Sequence, residues 1–226
     1  MRYQLREDLS CCDVDGTMIF LDVAQDRYFK LPHPLEEAMR RFRAREDVDP
    51  KLLEDLAAKS ILVDVTGPAP QSASASNQLP SCSAVERPVD ARWPSPSTVF
   101  EVMAIVWSVR RRLHTRTLKT NLDEARAYRD RKAGLPRATT NSAFEESLLL
   151  AAWHFANSRR YVPIEPVCLL DSLSLLHFLS RRGLPANIVF GVAAEPFAAH
   201  CWVQAGDMVL NETLSDACAH TPIRTV

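Results

Sequence analysis

Residues 163–204, which decide the fold of the carboxyl-terminal half, read PIEPVCLLDSLSLLHFLSRRGLPANIVFGVAAEPFAAHCWVQ. Two prolines break the chain just before Cys168, and the leucine-rich segment that follows predicts a helix over residues 168–182. Later apolar runs predict strands over 187–192, 200–204 and 208–211.

Three further helices are predicted upstream of this stretch. The first, over residues 98–113, is strongly apolar and ends in an arginine run that suits a helix carboxyl terminus. The second spans 122–132 with Asn121 as its cap, and the third begins at Ser142 in a capping box. Helices followed by an antiparallel sheet predict an α+β fold class.

Three residues of this region offer a cysteine nucleophile, its base and an orienting carboxylate. Cys168 falls in the first turn of its helix, where unpaired N–H groups and the helix dipole favour thiolate and can hold an oxyanion. His200 lies on a later strand, and Glu212 follows it. A cysteine beside a leucine-rich helix is also typical of a small buried hydrophobe, so Cys168 alone fits both interpretations.

The loop after the His200 strand bears on whether imidazole and carboxylate meet. Ala205-Gly206-Asp207 is compatible with a two-residue or a three-residue hairpin loop. The shorter loop sets His200 opposite Thr213, whereas a bulged three-residue loop sets it opposite Glu212 on the same face. We therefore predict the bulged loop.

The amino-terminal block predicts a three-stranded meander followed by two helices. The turn at Asp13–Gly16 separates two apolar runs, and a third strand is expected over 27–31. Pro34 and Asp49-Pro50 mark two helix starts, and residues 61–65 close the block as a short strand or extended tail.

The amino-acid composition changes between Thr66 and Ser97, where six of the fifteen prolines occur with almost no large apolar residue. Such a segment cannot bury enough surface to offset its ordering entropy, which predicts a flexible linker rich in proline and serine. The expected organisation is a first domain at 1–66, a linker at 67–97 and a second domain at 98–226.

Composition excludes several classes of function. A formal net charge of −1 gives no global basic field, which argues against nucleic acid as a partner. The longest apolar stretch, 99–109, is interrupted by Glu101 and Ser108, and the first residues lack an apolar signal core, so we expect a cytoplasmic protein that does not enter a membrane.

The six cysteines are neither dense nor arranged as CxxC pairs, which favours reduced thiols. Cys201, Cys218 and His220 lack the paired spacing of a structural zinc site, so no metal is expected.

The run from Pro166 to Val192, then PFAAHCWVQ, GDMVLNE and the closing TPI, resembles the transglutaminase-like leader peptidases of lasso-peptide biosynthesis, commonly called B proteins. The segments YQL, CDVDGTMIFLD and DRYFKLP resemble the recognition element of such pathways, a winged-helix fold. The resemblance implies an amino-terminal winged-helix-like recognition element joined to a transglutaminase-like, papain-like domain. The family carries aspartate where this chain has Glu212, so either Glu212 or Asn211 could orient the imidazole.

The resemblance also implies a function. The protein would be a cysteine protease that binds the leader of a ribosomally made lasso-peptide precursor and cleaves leader from core, before a cyclase of asparagine-synthetase type closes the ring. The leader would add a strand beside residues 27–31, with contacts expected at Tyr28, Lys30, Leu53 and Leu56; the two leucines fit an internal core equally well. The family has been associated with ATP, but no P-loop occurs and no cofactor is expected.

Three alternatives compete with this interpretation. A transglutaminase-type acyl transferase would use the same residues but let an amine intercept the thioester. A non-catalytic adaptor would deliver the precursor to the cyclase and tolerate loss of Cys168 and His200. A DNA-binding winged helix is disfavoured, because Glu54 and Asp55 lie on the presumed recognition helix.

Overall fold

The computed structural model describes residues 3–64, 79–133 and 142–226, and the chain divides into two compact units, Met1–Ala75 and Ser76–Val226. Each unit has its own strands and helices. Among the described residues, no helix is long and apolar enough to cross a membrane.

The amino-terminal unit is built around a three-stranded antiparallel sheet. Its strands β2 (Leu9–Val14), β3 (Thr17–Asp22) and β4 (Arg27–Lys30) lie in chain order, so the predicted meander is confirmed. The first turn requires glycine, because Gly16 has a φ of 82° and donates its N–H to Asp13 Oδ1 at 3.0 Å.

A second, two-stranded sheet closes this unit. Strand β1 (Tyr3–Leu5) pairs antiparallel with β5 (Leu62–Asp64). Of the two forms predicted for residues 61–65, the structure shows the short strand. Helix α1 (His33–Ala44) has the predicted Pro34 in its first turn, and α2 (Pro50–Ala58) begins at the predicted Pro50. One apolar core joins sheets and helices, formed chiefly by Met18, Phe20, Leu35, Met39, Leu56 and Leu62.

The predicted linker differs from the structure in its second half. Residues 65–78 lie outside the described residues, but Cys82–Ser83 form strand β6, which pairs with a strand of the carboxyl-terminal sheet. Ser83 Oγ also donates to the backbone oxygen of Glu212 at 2.5 Å. These contacts make residues 82–83 part of the second unit, because pairing to a distant strand overrides their local composition.

Four helices form the helical layer of the carboxyl-terminal unit. They are α3 (Pro96–Thr115), α4 (Leu118–Lys132), α5 (Ser142–Arg159) and α6 (Cys168–Ser180), and α6 packs against the other three. The predicted cap of α4 is wrong: Thr117 caps the helix, and Asn121 is buried inside it, donating its amide to Thr117 O at 2.9 Å.

The sheet of the carboxyl-terminal unit contains β6 and four later strands, in the order β10-β7-β8-β9-β6. The later strands are β7 (Asn187–Ala193), β8 (Ala198–Ala205), β9 (Met208–Val209) and β10 (Thr221–Thr225). A short helix, α7 (Leu214–Cys218), precedes β10. Only the β6–β9 pair is parallel among the described strands. Helix α6 packs on β8, which brings the start of α6 to the strand that carries His200.

Candidate active site

Cys168 is the first residue of α6. Val167 precedes the helix in an extended conformation, and its carbonyl accepts the Asp171 N–H at 2.9 Å. Cys168 therefore lies beside the unpaired N–H groups of the first turn, where the helix dipole favours a negative charge. Cys168 is partly exposed.

Arg159 holds the segment that leads to Cys168. This residue ends α5 and is only 8% exposed; its Nε donates to Asp171 Oδ1 at 2.6 Å. Its two terminal nitrogens donate to the carbonyls of Val162 and Glu165 at 3.4 and 3.3 Å. One guanidinium thus ties the loop to the first turn of α6. Sequence reasoning missed Arg159 because it looks like an ordinary cation at a helix end.

The start of α6 packs against a stretch of β8 that lies beyond the end of its partner strand β9. Val203 directs its N–H to Asn211 Oδ1 at 2.7 Å and its carbonyl to the Leu210 N–H at 2.8 Å. Alternate residues of a strand direct their backbone groups to the same side, so Cys201 presents its N–H and carbonyl there as well. The partner strand has ended at that point, and α6 supplies a partner instead, because Ser172 Oγ donates to Cys201 O at 3.2 Å.

Asn211 fixes this junction from a third element. Its Nδ2 donates to Ser172 Oγ at 3.1 Å while its Oδ1 accepts the Val203 N–H. The two ends of the amide are therefore engaged with α6 and β8, and neither hydrogen bond goes to His200. Ser172 was not predicted, since a serine within a leucine-rich helix carries no signal of this contact.

The imidazole of His200 and the carboxylate of Glu212 lie together. His200 Nε2 is 3.2 Å from Glu212 Oε1, and each side chain is about three-quarters buried, at 22% and 26% exposure. Cys168 is the group that most strongly raises the pKa of His200, and α6, which begins at Cys168, packs on the strand of His200. The structure therefore brings the three sequence-predicted residues together.

The hairpin prediction that led to this pair is wrong. Gln204 pairs with Val209 and Ala205 with Met208, which leaves the two-residue loop Gly206-Asp207 without a bulge. Glu212 nevertheless lies beside His200. Strand β9 ends at Val209, so Glu212 lies beyond the paired residues and the hairpin register does not fix the direction of its side chain. The contact depends on the path after β9.

The electrostatics of the site favour an ion pair between sulfur and imidazole. Hydrogen bonds from the Cys201 thiol and from His200 lower the pKa of Cys168 to about 4 against the opposing effect of burial. The hydrogen bond to Cys168, followed by that to Glu212, raises the pKa of His200 to about 10. Between these values Cys168 is a thiolate and His200 an imidazolium, which is the reactive form of a cysteine nucleophile.

The four predicted leader-binding residues lie in different environments of the amino-terminal unit. Tyr28 and Lys30 are on β4, one of the two edge strands of the three-stranded sheet, and Lys30 is exposed. Leu53 is partly buried against the core. Leu56 is 0% exposed, so its predicted contact with a leader is wrong: the side chain is used inside the core.

Residues considered for metal binding do not form a cluster. Cys201 is buried next to Cys168, whereas Cys218 is exposed at the end of α7. His220 lies with its ring 5.4 Å from that of His200 and hydrogen bonds through Nδ1 to Asp216 O at 2.9 Å. Within the described ranges, no group of three His, Cys, Asp or Glu side chains could hold a metal ion.

Comparison with known proteins places this site in a family. The Transglutaminase-like superfamily matches residues 104–225, more than half of the chain, and the matched region includes Cys168, His200 and Glu212. The chain is also 40% identical over 45 residues to the Microcin J25-processing protein McjB of Escherichia coli, an alignment that covers 20% of this chain and 22% of that protein. No solved structure matches the chain at a significant level. On the strength of the domain match, the chain belongs to the transglutaminase-like superfamily.

Proposed function

We propose that this protein is a cysteine peptidase of lasso-peptide biosynthesis, which cleaves the leader from the core of a ribosomally made precursor. The observation that carries the proposal is the contact chain from the Cys168 sulfur through His200 to Glu212. The local similarity to a microcin-processing protein supports a peptide precursor as the substrate.

The proposed reaction begins with an ion pair already formed. The Cys168 thiolate attacks the scissile carbonyl carbon, and unpaired N–H groups at the start of α6 receive the oxyanion. His200 gives its proton to the departing amine of the core, which leaves the leader as a thioester on sulfur. Neutral His200 then takes a proton from water, the hydroxide equivalent adds to the thioester, and the leader departs as a carboxylic acid.

Glu212 and Asn211 support the reaction at Cys168. Glu212 accepts a hydrogen bond from His200 and stabilises the imidazolium. Asn211, already engaged with Ser172 and Val203, acts as a positioning residue for the strand that carries His200.

The amino-terminal unit would be the recognition element that binds the leader. An extended leader adds a strand beside β4, where Tyr28 and Lys30 lie on the outer strand and Leu53 is partly accessible. Tethering this unit to the peptidase domain raises the effective concentration of the scissile bond near Cys168. The freed core would pass to a cyclase of asparagine-synthetase type, and we assign the reaction to the cytoplasm.

Mass spectrometry of a lasso-peptide precursor incubated with the protein tests the proposal. The wild type should release leader and core, and Cys168→Ala should release neither. Cys218→Ala is the matched control, because it removes an exposed thiol of the same unit and should leave cleavage intact. Cleavage by Cys168→Ala at the wild-type rate would refute the peptidase.

An acyl transferase is the second candidate, favoured by the superfamily match itself. The same thioester would then be intercepted by an amine rather than by water. Adding a primary amine such as glycinamide to the cleavage reaction distinguishes the two: a peptidase gives the free leader acid, whereas a transferase gives the leader amide as its main product. An adaptor would give neither and would still bind the precursor.

A further inference from the structure

Helices α3, α4 and α6 of the carboxyl-terminal unit line a cavity of about 290 Å³, which the proposed reaction leaves without a role. This volume is close to the lower end of the range for small-molecule pockets. His177, one of the lining residues, follows Cys168 by nine positions on α6. Helix geometry sets these two residues about 14 Å apart along the axis and on opposite sides of the helix. The cavity is therefore separate from the active site.

Arg112 brings an incompletely satisfied guanidinium to this cavity. Its Nη2 donates to His177 Nε2 at 3.0 Å, which is the guanidinium's single hydrogen bond to the residues that the structure describes. Its Nε is buried and has no hydrogen-bond partner among the same residues. Burial lowers the pKa of Arg112, because the charged form has lost part of its solvation. An anion in the cavity would replace that lost solvation.

The charges around the cavity favour one negative group. Arg112 and Arg181 are among the described lining residues, and no carboxylate is. Glu101 pairs with Arg181 at 3.3 Å and Glu124 pairs with Arg116, so the charge of Arg112 is left uncompensated. Helices α3 and α6 both reach the cavity with their carboxyl-terminal halves, whose dipoles oppose a doubly charged anion. A carboxylate, which carries one charge and matches the planar guanidinium, fits better than a phosphate.

We propose that this cavity binds a small organic carboxylate, whose anionic group pairs with Arg112 and whose apolar part lies against Ile105 and the ring of Tyr128. Ile105 and Arg112 belong to α3 and Tyr128 to α4, while His177 lines the cavity from α6. A bound carboxylate would thus connect three helices and stabilise the carboxyl-terminal unit. The inference goes beyond the proposed function, because the cavity shares no lining residue with the active site.

Isothermal titration calorimetry of the full chain with sodium benzoate tests the proposal, with phenyl phosphate at equal ionic strength as the competing probe. The wild type should bind benzoate saturably and more tightly than phenyl phosphate. Arg112→Met removes the charge and keeps a long side chain, and it should weaken benzoate binding by about tenfold or more, since hydrogen bonds to charged groups contribute strongly. Arg110→Met is the matched control: Arg110 is exposed on the same helix, outside the cavity lining, and its loss should leave the affinity unchanged.

A second variant keeps the test decisive where Arg112→Met fails to fold. Ala104 is exposed on α3 and lines the cavity, so Ala104→Phe should fill the space and block benzoate binding while Arg112 stays in place. Thermal unfolding checks that each variant is folded. The assignment is overturned by a wild type that shows no saturable benzoate binding up to about 10 mM. It is also overturned by equal weakening in Arg112→Met and Arg110→Met, by tighter binding of phenyl phosphate, or by unchanged binding in Ala104→Phe. None of these measurements uses a peptide precursor, so they are independent of the test of the peptidase.

Discussion

Replacing Arg159 by methionine should destabilise the carboxyl-terminal unit and slow the reaction at Cys168. The guanidinium is nearly buried and makes hydrogen bonds to the Asp171 carboxylate and to two loop carbonyls. Methionine removes all three and leaves Asp171, whose side chain is 19% exposed, without its cation. Breaking one side of such a pair typically costs about 3–5 kcal/mol, and the remaining exposure of Asp171 places the expected loss near 3 kcal/mol.

Denaturant unfolding that follows the carboxyl-terminal transition measures this loss. Lys119→Met is the matched control, since Lys119 and Asp123 form an exposed i,i+4 pair on α4, and it should cost about 0–1 kcal/mol. The deficit of Arg159→Met should shrink as the pH falls, because burial already raises the pKa of Asp171 and a protonated carboxyl needs no cation. A cost equal to that of the control, independent of pH, would refute this account of the loop.

Four other outcomes are expected. The kcat/KM of leader cleavage should rise through about pH 4, as Cys168 ionises, and fall through about pH 10, as His200 loses its proton. A rise in kcat/KM centred near pH 8–9 would contradict the ion pair between Cys168 and His200. Gly191→Ala should lower the melting temperature of the carboxyl-terminal unit, because the new Cβ would lie 2.7 Å from buried Trp202, and overpacking of this kind costs about 1–3 kcal/mol; unchanged melting would show that Trp202 can move. In the amino-terminal unit, Leu56→Ala should destabilise the fold by about 2–5 kcal/mol, whereas Lys30→Ala should weaken leader binding in a fluorescence titration and leave unfolding unchanged.

The positions of Cys168 and His200 in the fold were predictable because each has a local signature. Two prolines and a leucine-rich run locate Cys168 at a helix start, and a short β-branched and aromatic segment places His200 on a strand. The amino-terminal meander was also predictable. The turn at Asp13–Gly16, which separates its first two strands, needs a positive φ that glycine adopts readily.

Other elements lack a local signature in the sequence and were missed for that reason. Strand β6 lies in a proline-rich segment whose composition predicts no structure, and it forms only by pairing with β9. Helix α7 has five residues, too few for a periodic pattern, and β10 contains a proline in a sequence with little apolar alternation. Ser172 and Arg159 act through contacts between elements, which no single segment of sequence reveals.

The short length of β9 allows several of the contacts at the active site. A longer partner strand would cover the backbone of Cys201, and the start of α6 would then have no donor or acceptor on β8 to engage. Because β9 contains only Met208 and Val209, the side chain of Asn211 can bond to Val203 and Ser172 as the chain turns away. The same turn carries Glu212 to His200. Lengthening the strand pairing past Asn211 would therefore disrupt the nucleophile's position and its orienting carboxylate together, which explains why hairpin register was the wrong guide to this site.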